Sequence, residues 1–203
     1  MSHLSRKVRR AVGILAVLAA STAPVLSAAV PANAAAAGAL RITKIDCIER
    51  SDLFGADNPY FLVFIGNPGN PDLDTTVEVD PGISTDSGHT YIANTVISNS
   101  AQAGALTISV MLDQDDAKDL TAQEIQWIGN NMHNAWQIYF WKSKSERIAG
   151  LRSVLRSTVD SYLVNDDILG DSYATVVAGQ TAVMPFTDDG GDYKVYYGDA
   201  PVS

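Results

Sequence analysis

"LDQDDAKDLTAQEIQWIGNNMHNAWQIYFWKSKSERIAGLRSVLRSTVDSYLVNDDILGD", residues 112–171, is where the chain changes its periodicity twice. It opens on Asp113, Asp115, Asp116 and Asp119 and closes on Asp166, Asp167 and Asp171. Thr121 and Glu124 have the spacing of a capping box, in which a hydroxyl and a carboxylate satisfy each other's backbone amides. From Ala122 to Lys142 there is no proline, and Ile125, Ile128, Met132, Trp136 and Tyr139 recur at helical steps of three and four. Ser143 and Glu146 repeat the cap, and Ile148, Leu151, Leu155, Val159 and Tyr162 form a second apolar face. Two helices joined by a few residues make a helical hairpin, expected at about 117–164. Each would be on the order of 30 Å long. Its apolar faces must be covered by each other, by the rest of the chain, or by a partner.

Outward from this stretch the period becomes that of strands. "LRITKIDCI" (40–48), "PYFLVFIG" (59–66), "TTVEV" (75–79), "HTYIANTVI" (89–97) and "ALTISVML" (105–112) precede it. "GDSYATVVA" (170–178), "TAVMPF" (181–186) and "DYKVYYG" (192–198) follow. Short β-branched and aromatic runs, punctuated by "GNPGNPD", "SNSAQAG" and "DDGGD", predict a mainly β fold. The expectation is an eight-stranded antiparallel β-sandwich with the two-helix hairpin inserted between strands five and six.

At the start, Arg6, Lys7, Arg9 and Arg10 precede "AVGILAVLAA" and a small-residue run ending "VPANA". That order reads as a secretory signal peptide over 1–34, leaving 35–203 as one domain outside the cytoplasm. The apolar core is shorter than the roughly 20 residues of a membrane helix, and no later segment reads as one. Cys47 is the single cysteine, so no internal disulfide can form and a small buried strand residue is expected there.

The chain carries 14 Lys and Arg against 23 Asp and Glu. Loss of the leader removes four of the basic residues and no acidic one, so the remainder is strongly acidic. Nucleic acid is excluded as a partner on that ground, since phosphate contacts require clustered cations. If the strands alternate in direction, the connectors after the odd-numbered ones gather at one end of the sandwich. Those connectors hold Asp52, Asp57, Asp80, Asp86, the acids flanking the hairpin, Asp188, Asp189 and Asp192; the opposite connectors hold only Asp72 and Asp74. Two carboxylates about 4 Å apart repel by about 4 kcal/mol at an effective dielectric near 20. They require spreading, raised pKa values or a cation. Calcium suits an all-oxygen donor set, whereas zinc would want His or Cys, here sparse and scattered.

In "SDLFGADNPYFLVF" (51–64), Gly55, Asp57, Pro59 and Tyr60 lead into a strand, and "ISVMLDQD" (108–115) pairs an apolar strand with Asp-x-Asp. These elements, with "NDDILGD", resemble the C-two domain, the calcium-dependent phospholipid-binding module named for a conserved region of protein kinase C. The resemblance implies calcium ligands Asp52 and Asp57 from the first loop, Asp113 and Asp115 from the end of strand five, and Asp166 or Asp167 before strand six. The chain departs from the pattern in carrying Asn58 between Asp57 and Pro59 and the hairpin inside the third loop.

The expectation is a secreted, calcium-stabilised binding module whose partner, a phospholipid surface or a protein, meets the hairpin. "WIGNNMHNAWQIYFW" (127–141) holds Trp127, Trp136 and Trp141, either as that recognition surface or buried on the nearest sheet. A secreted hydrolase is the alternative, with His133 paired to Glu124 or Asp160, although no Gly-x-Ser-x-Gly or His-Glu-x-x-His element is present. A metal-free inhibitor or interaction protein is a third reading.

Overall fold

A computed structural model of the chain describes residues 39–51, 55–115 and 119–199. The leader expected over 1–34, the candidate ligand Asp52 and the expected hairpin boundary at 117 lie outside the described residues. Eight strands are formed: β1 (Leu40–Glu49), β2 (Pro59–Gly66), β3 (Asp74–Val79), β4 (His89–Ser98), β5 (Leu106–Asp113), β6 (Asp167–Thr175), β7 (Ala182–Asp188) and β8 (Gly191–Gly198). Helices α1 (Ala122–Tyr139) and α2 (Lys144–Asp160) lie between β5 and β6. The strands make two four-stranded antiparallel sheets, ordered β4-β1-β8-β7 and β3-β2-β5-β6. The expected sandwich and its insertion are both present.

β6 is displaced by three residues from the sequence reading, spanning Asp167–Thr175 instead of 170–178, and the other strand bounds shift by two residues or fewer. β6 begins at Asp167, not Gly170, because Asp167 pairs with Asp113 and Ile168 with Leu112. A register shift between Met111 and Leu112 then leaves Leu169 as the extra residue, with Gly170 opposite Met111. Gly170 has φ +137°, and a Cβ there would sit 2.8 Å from the Thr187 nitrogen. Only glycine lets the first turn of β6 approach β7 so closely.

Two apolar layers follow from this topology. Between the sheets, Ile42, Ile45, Phe61, Met111, Phe186 and Val195 are fully buried, with Phe61 edge-on to Phe186 at 5.9 Å. Cys47 belongs to this layer, and burial pushes its thiol above its ordinary pKa. On the outer face of the second sheet, Tyr60, Leu62, Phe64 and Val110 meet Ile128, Met132, Trp136, Leu151 and Leu155. β2 and β5 are therefore buried at every residue, which accounts for their nearly continuous apolar runs. The hairpin covers a sheet rather than projecting from it.

Both capping boxes are made. The Thr121 side chain accepts from the Glu124 amide, Ser143 does the same for Glu146, and each glutamate returns a bond to its cap residue. These bonds hold the Glu124 and Glu146 carboxyls below their ordinary pKa values. Near the end of α1, Gln137 donates to the Pro71 carbonyl at 2.9 Å and to Asp72 at 2.7 Å, both in the β2–β3 connector. Since β2 starts beside the end of β5 and ends beside its start, the α1–α2 turn lies at the opposite end of the sandwich from the acidic loops.

Candidate functional site

The acidic loops do share one end, and side-chain bonds knit them together. Asp57, in the β1–β2 connector, is fully buried. Its backbone pairs with Thr85 (2.7 and 3.1 Å), and its carboxylate accepts from the Ser51 amide at 2.8 Å and from the Tyr193 hydroxyl. Asp113, at the end of β5, is 4% exposed and accepts from the Asn58 amide at 2.6 Å. The first connector is thus tied to β8, to the β3–β4 connector and to β5.

The neck of the insertion is closed by two further aspartates. Asp119 accepts from the backbone amides of Val164 (2.6 Å), Asn165 and Asp166 (2.8 Å). Burial alone would raise the Asp119 carboxyl, but those amides outweigh it and hold the group below its ordinary value. Asp166 in turn accepts from the Asp119 amide at 2.9 Å and from the Tyr60 hydroxyl at 2.5 Å. Burial, then the adjacent Asp166 charge, drives the Tyr60 hydroxyl far above its ordinary pKa. It stays a neutral donor.

The two halves of the split acidic stretch therefore meet. In the β5–β6 ladder Asp167 lies opposite Asp113, while the Asp166 side chain just before it turns to Tyr60 on the face under the hairpin. Asp57 belongs to a separate cluster with Tyr193 and Ser51, and Asp115 is exposed. Among the described residues no group of three His, Cys, Asp or Glu side chains is arranged as a ready metal cage. One atom in the neck stands out, since Asp166 is 4% exposed and its Oδ1 is buried without a hydrogen-bond partner among the described residues. Beside it a cleft of about 310 Å³ is lined by Asp160, Asn165, Asp167, Asp188 and Arg156.

No family model matches the chain, and no curated protein matches it. Among solved structures, human GIVD cytosolic phospholipase A2 in complex with methyl gamma-linolenyl fluorophosphonate is similar over 81% of this chain and 17% of that chain, at 11% identity and a TM-score of 0.36. A second structure of human GIVD cytosolic phospholipase A2 covers 80% and 16%, at 10% identity and a TM-score of 0.36. The chain spans about a sixth of that protein's length.

Asp171, once in β6, is a structural acid. Arg152 donates to it at 2.5 Å and Arg156 at 3.2 Å, while Arg156 also reaches Asp188 at the end of β7. Arg156, then burial acting against it, leaves the Asp188 carboxyl below its ordinary value. α2 is thereby bonded to both sheets.

The sequence missed the donors rather than the acids. Tyr60 and Tyr193 arrive from 106 and 136 residues away in the chain. The one available signal was a tyrosine at the mouth of a β run beside an aspartate-rich connector. His133 pairs with Asp74 at 2.7 Å instead of Glu124 or Asp160, which clips α1 to β3. Of the three tryptophans, Trp136 is fully buried, Trp127 is 47% exposed and Trp141 is 78% exposed.

Proposed function

We propose that this chain is a secreted binding module with the organisation of a C-two domain, and that its acidic end takes up calcium at the neck of the helical insertion. The observation that supports this reading is the Asp166 Oδ1 atom, a buried carboxylate oxygen left without a donor. Buried polar atoms are nearly always partnered, by protein, water or an ion. Asp113 and Asp167, the pair that ends the β5–β6 ladder next along the chain, are the neighbouring carboxylates of the neck, and an all-oxygen donor set is what calcium prefers. Cys47 and His133 are engaged elsewhere, in the inter-sheet core and on Asp74.

Asp166, Asp113 and Asp167 would hold the ion, with Asp115, exposed two residues beyond Asp113, to complete the set. Asp57 drops from the set, because Tyr193 and Ser51 hold its carboxylate. The ion would supply charge neutralisation where the hairpin leaves and rejoins the sheet, fixing the hairpin on β2 and β5. The hydrolase reading loses its expected pairing, since His133 is bonded to Asp74.

Thermal unfolding in millimolar calcium and in EDTA tests the reading. A ligand bound only by the native state stabilises it, by about 2.7 kcal/mol at a hundredfold excess over Kd. The midpoint should rise with calcium, and Asp166→Asn should abolish the rise. Equal midpoints in calcium and EDTA would refute the metal and leave the carboxylates as a latch, as a metal-free interaction protein requires.

A further inference from the structure

The geometry points to a second surface at the opposite end of the sandwich: the α1–α2 turn docks end-on into an anionic lipid bilayer through Trp141, Ile138 and the flanking lysines. This rests on the binding-module half of the reading above and not on the cation. Trp141 is 78% exposed and Ile138 is 64% exposed. They are not the loose tip of a loop. Phe140 sits edge-on to both Trp136 (5.2 Å) and Trp141 (4.9 Å), which couples the exposed ring to the buried one. Arg147 donates to the carbonyls of Tyr139, Phe140 and Lys142, and lies over the Trp136 and Phe140 rings at 5.4 Å. Behind the turn, Tyr139 lies so close to Gly150 that a Cβ there would be 2.3 Å from the ring. These contacts order the turn, and the Phe140 ring holds the exposed indole against it.

Charge selects the occupant. In a chain with 14 basic and 23 acidic residues, Lys142, Lys144 and Arg147 fall within six positions, and the single acid among them, Glu146, is bonded to the Ser143 cap. A convex knob with tryptophan at its tip and lysines beside it matches the headgroup region of a bilayer. There indole rings settle at the apolar–polar boundary, and cations meet lipid phosphates. α1 has 18 residues, so the acidic loops lie about 27 Å away. The Debye length is about 8 Å at physiological ionic strength, so their repulsion is screened at the tip. The nearer acids, Asp72 bonded to Gln137 and Asp74 bonded to His133, belong to the β2–β3 connector and β3 rather than to the turn.

The test is co-sedimentation of the chain from Ala35 onward, which contains both sheets and the hairpin, with phosphatidylcholine vesicles with or without phosphatidylserine, in EDTA. Pelleting is expected with phosphatidylserine vesicles only, and should weaken as salt rises. Trp141→Ala should abolish it. Lys142→Gln and Lys144→Gln should each weaken it about fivefold, with thermal midpoints unchanged because all three side chains are exposed. Replacing EDTA with millimolar calcium should leave it intact. No pelleting with phosphatidylserine vesicles, or equal pelleting of Trp141→Ala, overturns the inference. So does binding that requires calcium, which would assign lipid to the acidic end.

Discussion

Tyr60 at the start of β2 donates its hydroxyl to Asp166 at the foot of β6, 2.5 Å away across 106 residues of chain. Both partners are buried, and the bond joins the sheet's central strand to the point where the hairpin returns. Replacing Tyr60 with Phe leaves ring packing in place and strips one donor from a buried carboxylate. Such a loss costs about 1–3 kcal/mol. Urea unfolding in EDTA should show the midpoint falling with an unchanged slope. A loss below about 0.5 kcal/mol would mean that the bond does not stabilise the fold.

Asp119 makes a separate prediction about pH. Its folded-state pKa lies below the ordinary 3.8, because three neck amides outweigh burial. A carboxyl depressed on folding contributes stability that is complete above its unfolded value and is lost as pH falls through the folded one. The stability difference between the native chain and Asp119→Ala, measured in EDTA, should hold constant from pH 7 to about pH 5 and shrink below 3.8. A difference that persists at pH 2 would show that the protonated group serves the neck equally well.

What the sequence could disclose here follows from the range of each signal. Capping boxes, apolar periods and turn residues act over three to five positions, and α1, α2 and most of the strands appear where those signals place them. β6 starts early because its first pairs, Asp167 with Asp113 and Ile168 with Leu112, are set by a partner strand. A local reading sees only an acidic turn. The unbroken runs of β2 and β5 carried the information that their sheet is covered on both faces, but not which element covers it. For the acids, alternation of strand direction was enough to gather them at one end. The donors that occupy Asp57 and Asp166, Tyr193 and Tyr60, belong to distant strands and leave no local trace.

The ion pairs on α2 should be asymmetric. Arg152 and Arg156 keep 39% and 40% of their side-chain surface, whereas Asp171, which binds both, keeps 12%. Removing Asp171 frees two guanidinium groups that water can solvate. Removing both arginines instead strands a mostly buried carboxylate. Asp171→Ala should therefore be milder than Arg152→Ala with Arg156→Ala, for which a loss of about 1–3 kcal/mol is expected. Adding Asp171→Asn to the arginine pair should recover part of that loss in urea unfolding. Equal costs for the two removals would show that the cluster is solvated and contributes little.

Gly170 is where a single methyl group should do the most damage. With φ +137° it lies in a region that side-chain-bearing residues rarely adopt, and an added Cβ would come within 2.8 Å of the Thr187 nitrogen and 3.1 Å of the Phe186 Cα. Both obstructing atoms are backbone, so neither can rotate away. Relief would require β6 to lift from β7, opening the inter-sheet layer around Leu169 and Phe186, both fully buried. Backbone strain of this kind costs about 1–3 kcal/mol before the clash is counted. Gly170→Ala is expected to exceed that range or to prevent folding, whereas Gly69→Ala, with nothing within 4 Å of its added Cβ, serves as a near-neutral control. Should Gly170→Ala unfold at the same urea concentration as the control, the close approach of the two sheets at the neck is not what fixes β6 in place.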